Sequence, residues 1–231
     1  MPPHCACGAL SLSLSLSLSV RQLDLARLPR DLGDLADFDT LDAPHPATGP
    51  PPPDVPWPPP HYEWWNARRD PAAAGGWTYD GGEAAFACLG SALRAADPPY
   101  DGLLGFSQGT ILASLALAAF QSGSAGPGGG LAGVPHPPRF ALLYCGVFAK
   151  PPYCDALAGP SGRDAKRLGV PSLHVIGQAD PVAPLSRRLA GAFANPVVLE
   201  HGRGHVMPAL PPEGLATLRA FLEARRAGSS L

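Results

Sequence analysis

Leu103-Leu104-Gly105-Phe106-Ser107-Gln108-Gly109 decides how this chain of 231 residues is read. Leu103 to Phe106 is a short apolar run of strand type. Gly109 to Phe120 is apolar almost all round, which predicts a buried helix. Between them Ser107 stands at the centre of a G-x-S-x-G pattern, and strand before with helix after is the setting of a nucleophile elbow. Such a turn strains the serine backbone, so side chains at Gly105 and Gly109 would clash. It lifts the serine Oγ out of the turn and aims the backbone N–H of Gln108 at a reacting carbonyl. The helix N-terminus adds a positive field that favours a developing oxyanion. A plain Gly-rich turn is the alternative, and the strand-to-helix context weighs against it.

A serine hydroxyl needs a base, and the base needs an orienting acid. On a sheet of this kind they follow in the order Ser, Asp, His. The apolar run Leu173–Ile176 ends in Gly177-Gln178-Ala179-Asp180-Pro181, which puts Asp180 on a loop at a strand's C-terminal end. A turn-forming Asp-Pro is the bland reading there. After Pro196–Leu199 comes His201-Gly202-Arg203-Gly204-His205, and spacing alone does not choose between the two histidines. A zinc site would need both on one helix. Gly202 and Gly204 argue against that helix, so no metal is expected. His174 lies in a strand, and His4, His45, His61 and His136 lie in loops or beside prolines.

Further out, Phe140–Cys145 is another continuous apolar strand. Leu215, Leu218, Phe221 and Leu222 mark a closing amphipathic helix. Strands with little polar alternation, separated by helices, predict an α/β fold with a mostly parallel sheet covered on both faces. Asp80 and Glu83 form a capping-box pattern ahead of Phe86, Leu89 and Leu93, one face of a helix. Leu23 to Leu35 predicts an imperfect helix interrupted around Pro29, and Phe38–Asp42 a short strand. Residues 44–60 hold ten prolines and read as an extended loop. Ser122–Gly133 reads as a flexible Gly-rich loop. Ser11 to Ser19 alternates Ser and Leu strictly. We read residues 1–20 as low-complexity and disordered, with a half-buried strand as the alternative, and residues 21–231 as the folded domain.

A net charge of −2 and a pI near 6.4 exclude a generic phosphate-backbone binder, so no nucleic-acid partner is expected. The 30 Pro and 27 Gly are concentrated in a few places and read as loops. Five cysteines without zinc or C-x-x-C spacing read as reduced thiols, hence a cytoplasmic and also a nuclear location. No run of 18 apolar residues would make a membrane span, and no secretory signal pattern opens the chain.

With these residues assembled, the chain resembles the FSH family of serine hydrolases, which have the α/β-hydrolase fold. The matching segments are Asp42-Ala43-Pro44-His45-Pro46, Tyr62-Glu63-Trp64-Trp65, Asp101 to Gly109, Leu173 to Gly177 with Asp180, and His201-Gly202 through His205 to Pro208. The resemblance implies Ser107 as nucleophile, Asp180 as acid and His205 as base. It implies hydrolysis of a small acyl ester or thioester through an acyl-enzyme, without a cofactor. Tyr62, Trp64, Trp65, Phe106 and Phe148 are candidates to line an acyl pocket, with core packing as the alternative.

One departure stands out. The family opens with an apolar strand ending in a His-Gly loop that supplies the second oxyanion-hole N–H. This sequence shows no such segment, so the first strand and oxyanion loop are expected to be atypical or missing. The Ser–Leu repeat reads as a poor substitute for a strand buried on both faces. Cys7-Gly8 is the nearby loop candidate. The departure keeps a second class open, an impaired α/β-hydrolase acting as a binding module. An interaction protein built on the Pro-rich loop is a third. Acyl length, leaving group and oligomeric state are not encoded in any motif.

Overall fold

The computed structural model describes residues 10–15 (backbone), 27–48, 61–73, 76–150, 153–158 and 167–227. A six-stranded, all-parallel sheet organises them. Its strands are β1 (Leu10–Ser15), β2 (Ala36–Leu41), β7 (Gly102–Phe106), β8 (Phe140–Tyr144), β9 (Ser172–Gly177) and β10 (Pro196–His201). Their spatial order is β10-β9-β8-β7-β1-β2. Two small antiparallel pairs lie in the chain between β2 and the first long helix. β3 (His45–Pro46) pairs β4 (Tyr62–Glu63), and β5 (Asn66–Arg69) pairs β6 (Trp77–Asp80). The helices are α1 (Leu28–Leu32), α2 (Gly82–Ala95), α3 (Gln108–Ser122), α4 (Asp155–Ala158), α5 (Ala183–Ala190) and α6 (Pro212–Ala227).

The predicted α/β-hydrolase class is what forms, and strand alternation explains how the sheet is covered. Leu103, Ala141 and Leu143 point to one face, where they pack with Phe86 and Leu89 of α2, Leu112 and Ala116 of α3 and Leu189 of α5. Leu104, Phe140, Leu142, Tyr144, Leu173 and Val175 point to the other, against Leu28 and Leu32 of α1 and Leu218, Phe221 and Leu222 of α6. Every residue of β8 and β9 is buried, as expected of strands covered on both sides. Burying the Leu, Val, Ile and Phe side chains among them stabilises by about 1.5–3 kcal/mol each.

Three local expectations differ. Within the Ser–Leu repeat, Leu10–Ser15 is not disordered: it is β1, between β7 and β2, with Leu12 opposite Phe38 and Leu14 opposite Leu104. The first strand is therefore atypical in sequence rather than missing. The physical reason is backbone pairing, since β7 without a neighbour would bury unpaired N–H and C=O groups. Pro29 does not interrupt a helix but opens α1, where its missing N–H costs nothing. Leu23 and Leu25 lie outside the described residues, as do residues 1–9, 16–26 and most of the Pro-rich loop. Finally, Asp80 does not cap α2. The N-cap is Gly81, and Asp80 instead forms an ion pair with Arg68 across the β5–β6 hairpin.

Candidate active site

The site is built where parallel strands end. Ser107 follows β7 directly and adopts φ 51°, ψ −121°, a backbone conformation L-residues seldom visit. Two contacts hold it there: its N–H donates to Tyr144 O at 3.1 Å, and its carbonyl accepts from Thr110 N at 3.0 Å. Gly105 is obligatory, because a Cβ there would lie 2.9 Å from Thr110 Cα and 3.1 Å from Leu143 Cδ2. Gly109 is buried in the first turn of α3.

Asp180 lies on the loop after β9 and is buried. Its Oδ1 accepts the backbone N–H of Val182 at 2.9 Å, which fixes the carboxylate plane. Its Oδ2 faces His205 Nδ1 at 2.7 Å. On the far side of the ring, His205 Nε2 lies 2.9 Å from Ser107 Oγ. With Nδ1–H donating to Asp180, Nε2 is left as an acceptor for the serine hydroxyl. The three residues expected to act together are thus joined by one hydrogen-bond chain. This arrangement can take a proton from an attacking hydroxyl and hold the resulting imidazolium beside a buried carboxylate.

The loops carrying the acid and the imidazole are laced to one another. Gln178 N–H donates to His201 O at 2.7 Å, and Ala179 N–H to Arg203 O at 3.2 Å. Gly177 makes that approach possible, since a Cβ there would sit 2.4 Å from Gly204 O and 2.6 Å from Arg203 O. His201, the other candidate base, is turned elsewhere: its Nδ1 accepts the N–H of Arg203 at 3.2 Å. Burial and the nearby Arg203 hold its pKa below the usual imidazole value, with Asp180 partly opposing them.

Gln108 opens α3, so its backbone N–H is one of those without a partner inside the helix. Its side chain spans to the aromatic segment: Oε1 accepts Trp64 N–H at 2.7 Å and Nε2 donates to Trp65 O at 2.8 Å. Cys145 lies beside Asp180 and His205. Its thiol contacts Val206 O at 3.3 Å, and burial together with the neighbouring Asp180 carboxylate pushes its pKa up to about 12. Its sulfur, an Asp180 oxygen and a His205 nitrogen lie within 4.8 Å of one another. The G-x-S-x-G pattern marks the Gln108 backbone, while no motif marks its side chain or Cys145.

The five aromatic candidates separate. Trp64, Trp65 and Phe148 are buried in the core, Trp65 edge-on to Tyr79 at 5.9 Å and Phe148 beneath the Arg188 guanidinium at 4.0 Å. Tyr62 is exposed. Phe106 packs against the His205 ring, with 5.0 Å between centroids. Cys7-Gly8 lies outside the described residues.

A family model for serine hydrolase (FSH1) matches residues 19–213. The chain belongs to that family. As a member of the FSH1 family it is a serine hydrolase, as the resemblance implied. It is 35% identical over 208 residues to Esterase OVCA2 of Homo sapiens, covering 81% of this chain and 82% of that one. It is 31% identical over 146 residues to Esterase FPY3 of Fusarium mangiferae, covering 56% and 58%. Among solved structures it is similar in fold to acyl-protein thioesterase 2 of Zea mays, with a TM-score of 0.61 at 18% identity, covering 98% of this chain and 97% of that one. Among the described residues no helix is long and apolar enough to cross a membrane.

Proposed function

We propose that this FSH1-family hydrolase cleaves carboxylic acyl esters through an acyl-enzyme on Ser107, with His205 as general base and acid and Asp180 as the orienting carboxylate. The observation that carries the reading is the unbroken chain from Asp180 Oδ2 to His205 Nδ1 (2.7 Å) and from His205 Nε2 to Ser107 Oγ (2.9 Å).

In the first half-reaction Ser107 Oγ attacks the ester carbonyl while its proton passes to His205 Nε2. The carbonyl oxygen gains the electron pair and becomes an oxyanion, which the Gln108 backbone N–H at the head of α3 stabilises. Collapse of the tetrahedral intermediate breaks the bond to the leaving alcohol, which takes the proton from His205. Water then repeats the sequence on the acyl-serine and releases the acid. Asp180 keeps the proton of the imidazole on Nδ1 and offsets the charge on the imidazolium. Among the aromatic candidates, the contact of Phe106 with the His205 ring supports a role for it beside the acyl group.

The test is a fluorophosphonate probe, which phosphonylates a serine activated in this way. The wild type is expected to be labelled and Ser107→Ala not. A folded wild type that resists labelling would favour the binding-module reading. Matched oxygen esters and thioesters of one acyl chain then decide the leaving group. A higher kcat/KM on the thioester would make this a thioesterase, with the same three residues.

A further inference from the structure

Resting on that reading, we propose that the Thr110 hydroxyl and the Gln108 carboxamide are positioning residues that hold the peptide plane between Ser107 and Gln108 as a preset oxyanion donor. The carbonyl of Ser107 and the N–H of Gln108 belong to one planar unit and point in opposite directions. Fixing the carbonyl therefore fixes the direction of the N–H.

The carbonyl is gripped twice by one residue. Thr110 N–H donates to Ser107 O at 3.0 Å, and Thr110 Oγ1 donates to the same oxygen at 2.6 Å. Thr110 is fully buried, so water does not compete for its hydroxyl. The hydroxyl oxygen is itself held, because it accepts the N–H of Val147 at 3.0 Å from the segment following β8.

The other end of the plane is anchored by the Gln108 side chain. Its amide reaches the Trp64 N–H and the Trp65 carbonyl, 44 and 43 residues away in sequence. Trp64 and Trp65 are locked in the core at 0% and 1% exposure, so the anchor point is rigid. Gln108 Cα is therefore held between a strained serine and a buried aromatic pair. The plane does not have to reorganise as charge develops on the substrate oxygen, and that is where fixed dipoles act in catalysis.

The experiment compares Thr110→Val, which keeps the shape and loses the hydroxyl, with Thr110→Ser, which keeps the hydroxyl. Thr110→Val is expected to lower kcat about tenfold, less than the 10²–10³ of deleting an oxyanion donor outright, with KM on a neutral p-nitrophenyl ester within about twofold. Its affinity for a trifluoromethyl ketone, which forms a tetrahedral oxyanion on the serine, should fall by the same factor. Thr110→Ser should restore both. Gln108→Met, which loses both bonds to Trp64 and Trp65, should show the same pattern and serves if Thr110→Val does not fold. A purely structural role would lower the melting temperature but leave kcat per folded molecule and ketone affinity at wild-type values, and that result overturns the proposal. So does a change confined to KM. A wild type that neither hydrolyses the ester nor takes the fluorophosphonate defeats the esterase reading itself, and the positioning role with it.

Discussion

His205 Nε2 lies 2.9 Å from Ser107 Oγ across a sequence separation of 98 residues. The strand order brings them together, because β7 and β10 are separated in the sheet by β8 and β9, and all four run the same way. The loops after β9 and β10 are bonded to one another, so His205 leans back over the strand ends toward the serine.

The two histidines after β10 should separate sharply on substitution. His205→Ala is expected to lower kcat by roughly 10⁴ or more, as loss of a triad base does, while His201→Ala costs little. Steady-state rates on a p-nitrophenyl ester measure both. A greater loss from His201→Ala would move the role of base to His201.

Asp180→Asn should keep the geometry and lose the charge, so kcat falls by about 10²–10⁴ with little change in KM. Equal activity in this variant would remove Asp180 from the mechanism.

Gly177→Ala tests the lacing of the two loops. The added Cβ meets backbone, Gly204 O at 2.4 Å and Arg203 O at 2.6 Å, so the loop bearing His205 must move. The expected destabilisation is about 1–3 kcal/mol, with a kcat loss beyond the unfolded fraction. Thermal melts and rates on the same samples check it.

His174 supplies a pH dependence of stability. It is buried, bonded to Ser172 Oγ at 3.0 Å, and burial lowers its pKa from 6.5 to about 4. The unfolded chain takes up a proton near 6.5 that the folded chain refuses until about 4. Its contribution is thus fully present above about 6.5 and is lost as pH falls through that window, by a few kcal/mol at most. Urea titrations between those limits should show a shallower slope in His174→Gln than in the wild type.

Cys145 should be inert despite its place beside the site. Its thiol is buried and its pKa is pushed up to about 12, so almost no thiolate exists at pH 8. Iodoacetamide on the native protein should leave Cys145 unmodified and activity intact, as peptide mass mapping will show.

Much of this architecture was legible because the chemistry is local. Gly105 to Gly109 between an apolar strand and an apolar helix, Asp180 after one strand and a histidine after the next could each be read from a few neighbours. What the chain does not carry locally was not legible. The Ser–Leu repeat looks half-polar, and only the demand of β7 and β2 for a partner explains its place in the sheet. Asp80 had a capping pattern, but Arg68 across the hairpin took the carboxylate. Trp64 and Trp65 read as candidates for a pocket wall, but their bonds to the Gln108 amide, more than forty residues away in sequence, are contacts no local pattern announces. The grip of Thr110 on the Ser107 carbonyl is local in sequence but silent in composition.

The most direct test of the central claim is to quench turnover of a slowly deacylating ester in acid and map the acylated peptide by mass spectrometry. The account predicts one acyl group per chain, on the peptide containing Ser107 and absent from Ser107→Ala. Turnover with the acyl group on another residue, or undiminished turnover in Ser107→Ala, would contradict it.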